Sequence, residues 1–185
     1  MRNDFLKSVL YIAAFAALVF AVVAAVSSLL FPPRPAQAAV DLGACFPASV
    51  ARRQEDITRW GKTYQLSPTL IAAVMTVESC GNPRAVSPTG AKGLFQVMPF
   101  HFAAGEDPFD PETNARRGLG YLRWALQRTG GNTRLALAVY NGGPGVLQSS
   151  PASWPPETQR YVRLTTQLLA EAQAGQCSLA RRLCP

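Results

Sequence analysis

The sequence has a single histidine, His101, and no Cys-x-x-Cys spacing. Both absences argue against a zinc site, which is normally built from paired His and Cys ligands. It also lacks runs of alternating β-branched residues bounded by tight hairpin turns, the signature of strands in a sheet. There is no internal repeat and no low-complexity tract. The chain carries a formal charge of +7, yet no helix-length stretch concentrates its arginines and lysines. That excess suits an anionic polymer in general but gives no support to a nucleic-acid partner.

Long apolar runs are not lacking at the front. Arg2 and Lys7 precede an uncharged, proline-free run of 24 residues from Ser8 to Phe31. By length this run is a membrane helix, because a signal-peptide core is shorter. Ala36-Gln37-Ala38, however, fits the small-x-small pattern of a cleavage site. Residues 1–31 therefore read as a signal-anchor or a signal peptide, and residues 32–44 as a Pro/Ala-rich linker. The basic start keeps the N-terminus in the cytoplasm, so in either case residues 45–185 form a domain outside it. Leu42-Gly43-Ala44-Cys45 has the look of a lipoprotein site, but prolines and charges separate it from the apolar run.

Four cysteines, Cys45, Cys80, Cys177 and Cys184, lie behind this export segment. An even number in an exported domain implies disulfides. Three pairings are open. One closes a small C-terminal loop between Cys177 and Cys184 and ties Cys45 to Cys80.

The remaining periodicity is helical, and the expected fold class is all-α. A helix is expected over about 49–64. Ser67-Pro68 marks the start of another, with Leu70, Ile71, Val74 and Met75 on its apolar face. Gly81 and Asn82-Pro83 end it. A short helix is expected over Ala91 to Met98. Asp110-Pro111 starts a helix that ends at Gly130-Gly131. Asn132 caps one that runs to Asn141, and a last helix runs from near Pro155-Pro156 to about Ala174.

Glu78 falls on the apolar face of the helix begun by Pro68, close to its end. Burial raises the pKa of a carboxyl group, and one that keeps its proton near neutral pH can protonate a leaving oxygen. The plain alternative is a helix-end glutamate that reaches water. Around it, Glu78-Ser79-Cys80-Gly81-Asn82-Pro83-Arg84-Ala85-Val86-Ser87-Pro88 leads into Gly90-Ala91-Lys92-Gly93-Leu94-Phe95-Gln96-Val97-Met98-Pro99. Asp110-Pro111-Glu112-Thr113-Asn114 with Gly118 and Tyr121-Leu122 follows. Ala138-Val139-Tyr140-Asn141-Gly142-Gly143-Pro144-Gly145 comes next, then Glu157-Thr158 with Tyr161-Val162. Together these four motifs, in this order over residues 68–165, closely resemble the soluble-lytic-transglycosylase family, whose fold is lysozyme-like.

The resemblance implies that Glu78 is the single catalytic acid/base of an enzyme acting on peptidoglycan glycan strands. It implies a contact to the sugar beside the scissile bond for Ser87, groove-lining roles for Gln96 and Met98, and a hydrogen bond near the carboxylate for Tyr140. Asn141 follows in the same motif, and Glu157 and Tyr161 stand on the far wall. Ser87 also reads as a turn residue, and Met98 and Tyr161 as core. The implied reaction needs no cofactor. Glu78 protonates the oxygen between N-acetylmuramic acid and N-acetylglucosamine, then takes the proton of the muramoyl 6-hydroxyl as it closes a 1,6-anhydro ring. Phe95 and Gly142 depart mildly from the family pattern, and Phe100-His101 stands where a threonine is common.

Rival readings follow from particular residues. A hydrolytic lysozyme needs a second carboxylate, for which Glu106, Asp107 and Asp110 are candidates, although Asp110 also looks like a helix cap. A non-catalytic peptidoglycan-binding module calls for a replaced Glu78, which the sequence does not have. A cysteine peptidase using Cys80 and His101 would place its nucleophile at a helix C-terminus, the unfavourable end for a thiolate.

Overall fold

The computed structural model describes residues 42–184; the expected export segment and most of the linker lie outside the described residues. Seven α-helices appear among the described residues: α1 (Ala48–Ala51), α2 (Gln54–Tyr64), α3 (Pro68–Ser79), α4 (Pro111–Arg128), α5 (Thr133–Gly142), α6 (Pro156–Gln173) and α7 (Ser178–Leu183). Short 3-10 turns join them at Leu42–Ala44, Pro99–His101, Pro144–Gln148 and Pro151–Ser153. The only β contacts among these residues are two isolated bridges, Val86 with Lys92 and Lys92 with Val97. The domain is therefore all-α. No described helix is long and apolar enough to cross a membrane.

The core forms around α3. Its residues Leu70 to Thr76 are buried without interruption, as expected of a helix that is apolar on every side and surrounded by protein. Helices α1, α2, α6 and α7 all pack against it, while α5 bridges α4 and α6. The apolar side of α3 is thus wider than the Leu70, Ile71, Val74 and Met75 stripe.

Helix starts follow local chemistry. Asp110 accepts a hydrogen bond from the Thr113 amide at 2.8 Å, and Asn132 accepts one from Leu135 at 3.1 Å, each satisfying a donor that the first helical turn leaves unpaired. Ser67 occupies the corresponding position before Pro68, but its side chain makes no cap bond. There Pro68 supplies the start, because its ring presets the helical φ and it has no N–H to satisfy.

Two expectations are corrected, and an open question is closed. Ala91 to Met98 is a looped segment of turns and the two bridges, not a helix. Gly93, with φ +77°, and Gln96, with φ 45°, interrupt any helical path there. The expected helix at 49–64 is broken into α1 and α2. Of the three pairings left open, the cysteines adopt Cys45–Cys177 and Cys80–Cys184. Each bond ties an N-terminal part of the domain to its C-terminal segment. Helix α7, which lies between Cys177 and Cys184 and buries Leu179 and Ala180, was not anticipated.

Candidate active site

Glu78 sits in the last turn of α3, where the buried helix comes up to the surface. The helix ends at Cys80, which adopts a left-handed conformation with φ 51°. That conformation is uncommon for a residue with a side chain. It is held from several sides here: Ser49 Oγ donates to the Cys80 carbonyl at 2.5 Å, and the sulfur is bonded to Cys184. At Gly81 a Cβ would lie 2.9 Å from the Ser49 backbone, so only glycine lets the chain pass. Ser79 Oγ donates to the Leu94 carbonyl at 2.8 Å, joining the end of α3 to the following loop.

That loop, residues 82–98, folds back on itself. The Lys92 and Val97 backbones exchange hydrogen bonds at 2.9 and 3.0 Å, and Gly93 N–H donates to the Ala85 carbonyl at 2.9 Å. Leu94 and Phe95 are fully buried under it. Asn114 on α4 locks the loop to the core. Its Oδ1 accepts from Phe95 N–H at 2.8 Å, and its amide donates to the carbonyls of Lys92 and Pro108 at 2.8 and 2.9 Å. The side chain is completely buried with both of its ends satisfied. The sequence showed Asn114 as part of a motif but gave no hint of this role.

The Glu78 carboxyl is pushed up to about 8, first by burial, with a further rise from the negative charge of Glu157, while the Tyr161 hydroxyl acts to lower it. The side chain still keeps a partial opening to solvent. A group of this kind is largely protonated at neutral pH and can exchange its proton with a bound molecule. Tyr161 is buried on α6, and its hydroxyl has no hydrogen bond of normal geometry; its electrostatic partner is the Glu78 carboxylate. Burial, then the Glu78 charge, also lift the Tyr140 phenol well above its ordinary value.

The eight expected site residues separate by what they touch. Tyr140 donates to the Phe95 carbonyl at 2.8 Å, so its hydrogen bond braces the loop next to Glu78. It stacks on Tyr161 with ring centroids 6.3 Å apart. Asn141 Oδ1 accepts from Thr158 Oγ1 at 2.8 Å and ties α5 to α6. Ser87 makes a turn: its hydroxyl accepts from the Ala91 amide at 2.9 Å and meets Thr89 Oγ1 at 3.0 Å. Gln96 donates its amide to the Gly93 and Ala85 carbonyls at 3.0 and 3.3 Å. Glu157 is exposed at the start of α6. Gln96, Met98 and Tyr140 line one open cavity of about 380 Å³, together with His101 and with Gly118 and Tyr121 of α4. Glu78 is not among the residues that line this cavity; its charge acts on Tyr140, which is.

The three acidic residues considered as a second carboxylate have other partners. Glu106 is held by Arg116 at 3.0 Å and by Arg117 at 2.7 Å; with a further bond from the Ala103 amide, these hold its carboxyl at about 2. Asp107 accepts from Phe109 N–H, and Asp110 caps α4. Among the described residues, Glu157 is the one carboxylate whose charge acts on Glu78. Arg116 and Arg117 carried no signal in the sequence. Among the described residues no group of His, Cys, Asp and Glu is placed to hold a metal ion. Cys80 is committed to its disulfide and is no free nucleophile, and Cys45 is likewise bonded.

This arrangement has counterparts among known proteins. The chain is 36% identical over 104 residues to the soluble lytic murein transglycosylase of Salmonella typhimurium, an alignment covering 50% of this chain and 16% of that protein. It is 38% identical over 100 residues to the transglycosylase of Enterobacteria phage PRD1, covering 53% and 36% respectively. The crystal structure of the 70 kDa soluble lytic transglycosylase of Escherichia coli superimposes with a TM-score of 0.56 at 25% identity, over 70% of this chain and 26% of that one. The chain thus matches only a minor part of the length of each of these proteins. The model of the transglycosylase SLT domain matches residues 55–153, which hold Glu78, the loop to Met98, α4 and α5. By that match the chain belongs to the transglycosylase SLT domain family.

Proposed function

We propose that this protein is a lytic transglycosylase that cleaves the β-1,4 bond between N-acetylmuramic acid and N-acetylglucosamine in peptidoglycan and leaves 1,6-anhydro-muramoyl ends. The observation that carries the reading is the Glu78 carboxyl, raised to about 8 by burial beside Tyr161, in a domain of this family.

In this reading Glu78 begins the reaction protonated. It gives its proton to the glycosidic oxygen as the bond to the muramoyl anomeric carbon breaks, and the substrate's acetamido oxygen stabilises the positive centre. Glu78, now a carboxylate, takes the proton of the 6-hydroxyl as that oxygen bonds to the anomeric carbon. The bond broken and the bond formed balance, and Glu78 ends protonated again. No cofactor takes part. Substrate assistance removes the need for a second carboxylate, and holding the 6-hydroxyl near the anomeric carbon favours ring closure over attack by water. The occupied states of Glu106, Asp107 and Asp110 support this over a hydrolytic lysozyme.

Tyr161 and Glu157 tune the acid from α6. Met98, Gln96 and Tyr140 form the groove wall against the glycan. Ser87 and Asn141 reach the strand from the edges of positions they also help to build. Residues 45–185 act as the catalytic domain. Residues 1–31 act as a signal-anchor or signal peptide, and residues 32–44 as the linker, which puts the domain on the wall side of the membrane. Two disulfides support an oxidising compartment.

Replacing Glu78 tests the reading. Glu78→Gln keeps the shape of the side chain but cannot exchange the proton. Loss of acid catalysis alone costs about 10²–10⁴ in rate, and the upper end is expected where one residue is both acid and base. A folded Glu78→Gln protein that solubilises purified peptidoglycan at the wild-type rate would overturn the proposal.

A further inference from the structure

The stretch from Thr113 to Pro156 contains no aspartate or glutamate. Within it, Arg134 stands in the first turn of α5, a turn with no acidic residue. A cation there faces the positive end of the helix dipole. On α6, Arg160 and Arg163 are three residues apart, where like charges repel. Arg134 and Arg163 are exposed, and neither has an ion pair or a hydrogen bond among the described residues. Nothing within the described protein compensates these charges, so their counterpart is an external anion.

The two arginines meet at one place. They line a cavity of about 390 Å³ with Pro151, Trp154, Gln159 and Thr166. It shares no residue with the cavity lined by Gln96, Met98 and Tyr140. Gln159 and Arg163 each lie two residues from Tyr161, and at about 100° per residue that is nearly the opposite side of the helix. Tyr161 is on the side turned to Glu78. Glu157, four residues before Tyr161, shares that side, and its charge acts on Glu78.

The walls of the cavity are held in place. Trp154 is buried, and its indole N–H donates to the Val146 carbonyl at 3.0 Å. Gln159 donates its amide to the carbonyls of Ala152 and Trp154 at 3.1 and 2.8 Å. Its Oε1 has no partner among the described residues and can accept an N–H from a ligand. The planar fork of arginine matches a carboxylate with two parallel hydrogen bonds. Two forks, an apolar Trp154 and Pro151 wall and one free acceptor suit a short peptide with more than one carboxylate. The volume is that of a small-ligand pocket, enough for a few residues and too small for the face of a protein.

We infer that this cavity binds an acidic peptide of the wall polymer, the stem carried by a muramoyl residue of a strand other than the one being cut. It thereby holds the enzyme to the wall from the side away from Glu78. The identity of the polymer rests on the proposed function.

Calorimetric titration with stem peptide freed from its glycan tests this on the purified protein. The wild type should bind the peptide. Arg134→Ala and Arg163→Ala should each weaken binding roughly tenfold, the size of losing a hydrogen bond to a charged group. Arg128→Ala, an exposed arginine outside the cavity, should leave binding unchanged, and amidating the carboxylates of the peptide should abolish it. No binding by the wild type, or wild-type affinity in both cavity variants, overturns the inference. So does an equal loss in Arg128→Ala, which would reveal diffuse charge attraction, or tighter binding of tetraglutamate, which would assign the cavity to a protein segment. The titration needs no cleavage, so its failure leaves the enzyme reading standing. A wild type that binds the peptide but cuts no peptidoglycan contradicts the enzyme reading alone.

Discussion

Glu78 concentrates two demands that oppose each other. The reaction we propose needs a proton held near neutral pH, which burial supplies by raising the carboxyl to about 8. Burial also makes the ionised form costly to the fold. In the unfolded chain the group ionises near 4.5, the ordinary glutamate value. Between these values the folded state binds more protons than the unfolded state, so wild-type stability falls as pH rises through this window. Glu78→Gln lacks this dependence. Its melting temperature relative to wild type should therefore climb from pH 4.5 to pH 8 and level off above. A difference that stays flat across this range, measured by calorimetry in matched buffers, contradicts the burial described for Glu78. Asn114 poses the opposite case, a polar side chain that stabilises because all its bonds are made. Asn114→Ala strands the Phe95 amide and the carbonyls of Lys92 and Pro108. It should cost about 2–4 kcal/mol in urea denaturation; a cost below about 1 kcal/mol would mean that water replaces the amide. The burial of Glu78 near the end of α3 was legible from helical periodicity. The role of Asn114 was not, because two of its three partners lie 19 and 22 residues away on a loop whose path has no period.

At the scale of elements, legibility followed capping chemistry. Helices α4 and α5 begin where Asp110 and Asn132 place them, because a side-chain cap is a local interaction that the sequence displays directly. The segment Ala91 to Met98 shows the reverse. Its apolar content resembles a helix, but that content is spent on burying Leu94 and Phe95 beneath a loop held by Asn114, Ser79 and Tyr140. Helix α4 supports this loop closely enough that Gly118 has no room for a methyl group. Gly118→Ala should push Phe95 and Tyr140 from their places. Overpacking of this kind costs roughly 1–3 kcal/mol. Because Tyr140 stands next to Glu78, activity should fall by more than the folded fraction does. Equal losses in a parallel assay of activity and circular dichroism would show that the glycine serves packing alone.

The whole domain is closed by its two disulfides, whose cysteines are 132 and 104 residues apart. Bonds across such long loops restrict the unfolded chain strongly, by about 4–5 kcal/mol each in the chain-entropy picture, with overlapping loops making the pair less than additive. Cys80–Cys184 also holds the helix end two residues beyond Glu78. Reduction should lower the melting temperature, and Cys184→Ser should lower activity at temperatures where the protein remains folded. Full activity and an unchanged melting temperature after complete reduction would contradict this role. The sequence announced disulfides through the cysteine count and the expected export segment, but pairing depends on where α7 docks, and a six-residue helix leaves little periodic trace. The all-α class was legible from periodicity, whereas the particular fold came from the order of four motifs. The central claim joins these scales: a domain of this family that carries one raised carboxyl closes the sugar on itself and does not add water. The direct measurement is digestion of purified peptidoglycan in heavy-oxygen water, followed by mass analysis of the released muropeptides. The account predicts anhydro ends, lighter than the hydrolytic products by one water and free of the heavy label. Labelled products with free reducing ends would contradict it and make the protein a hydrolase.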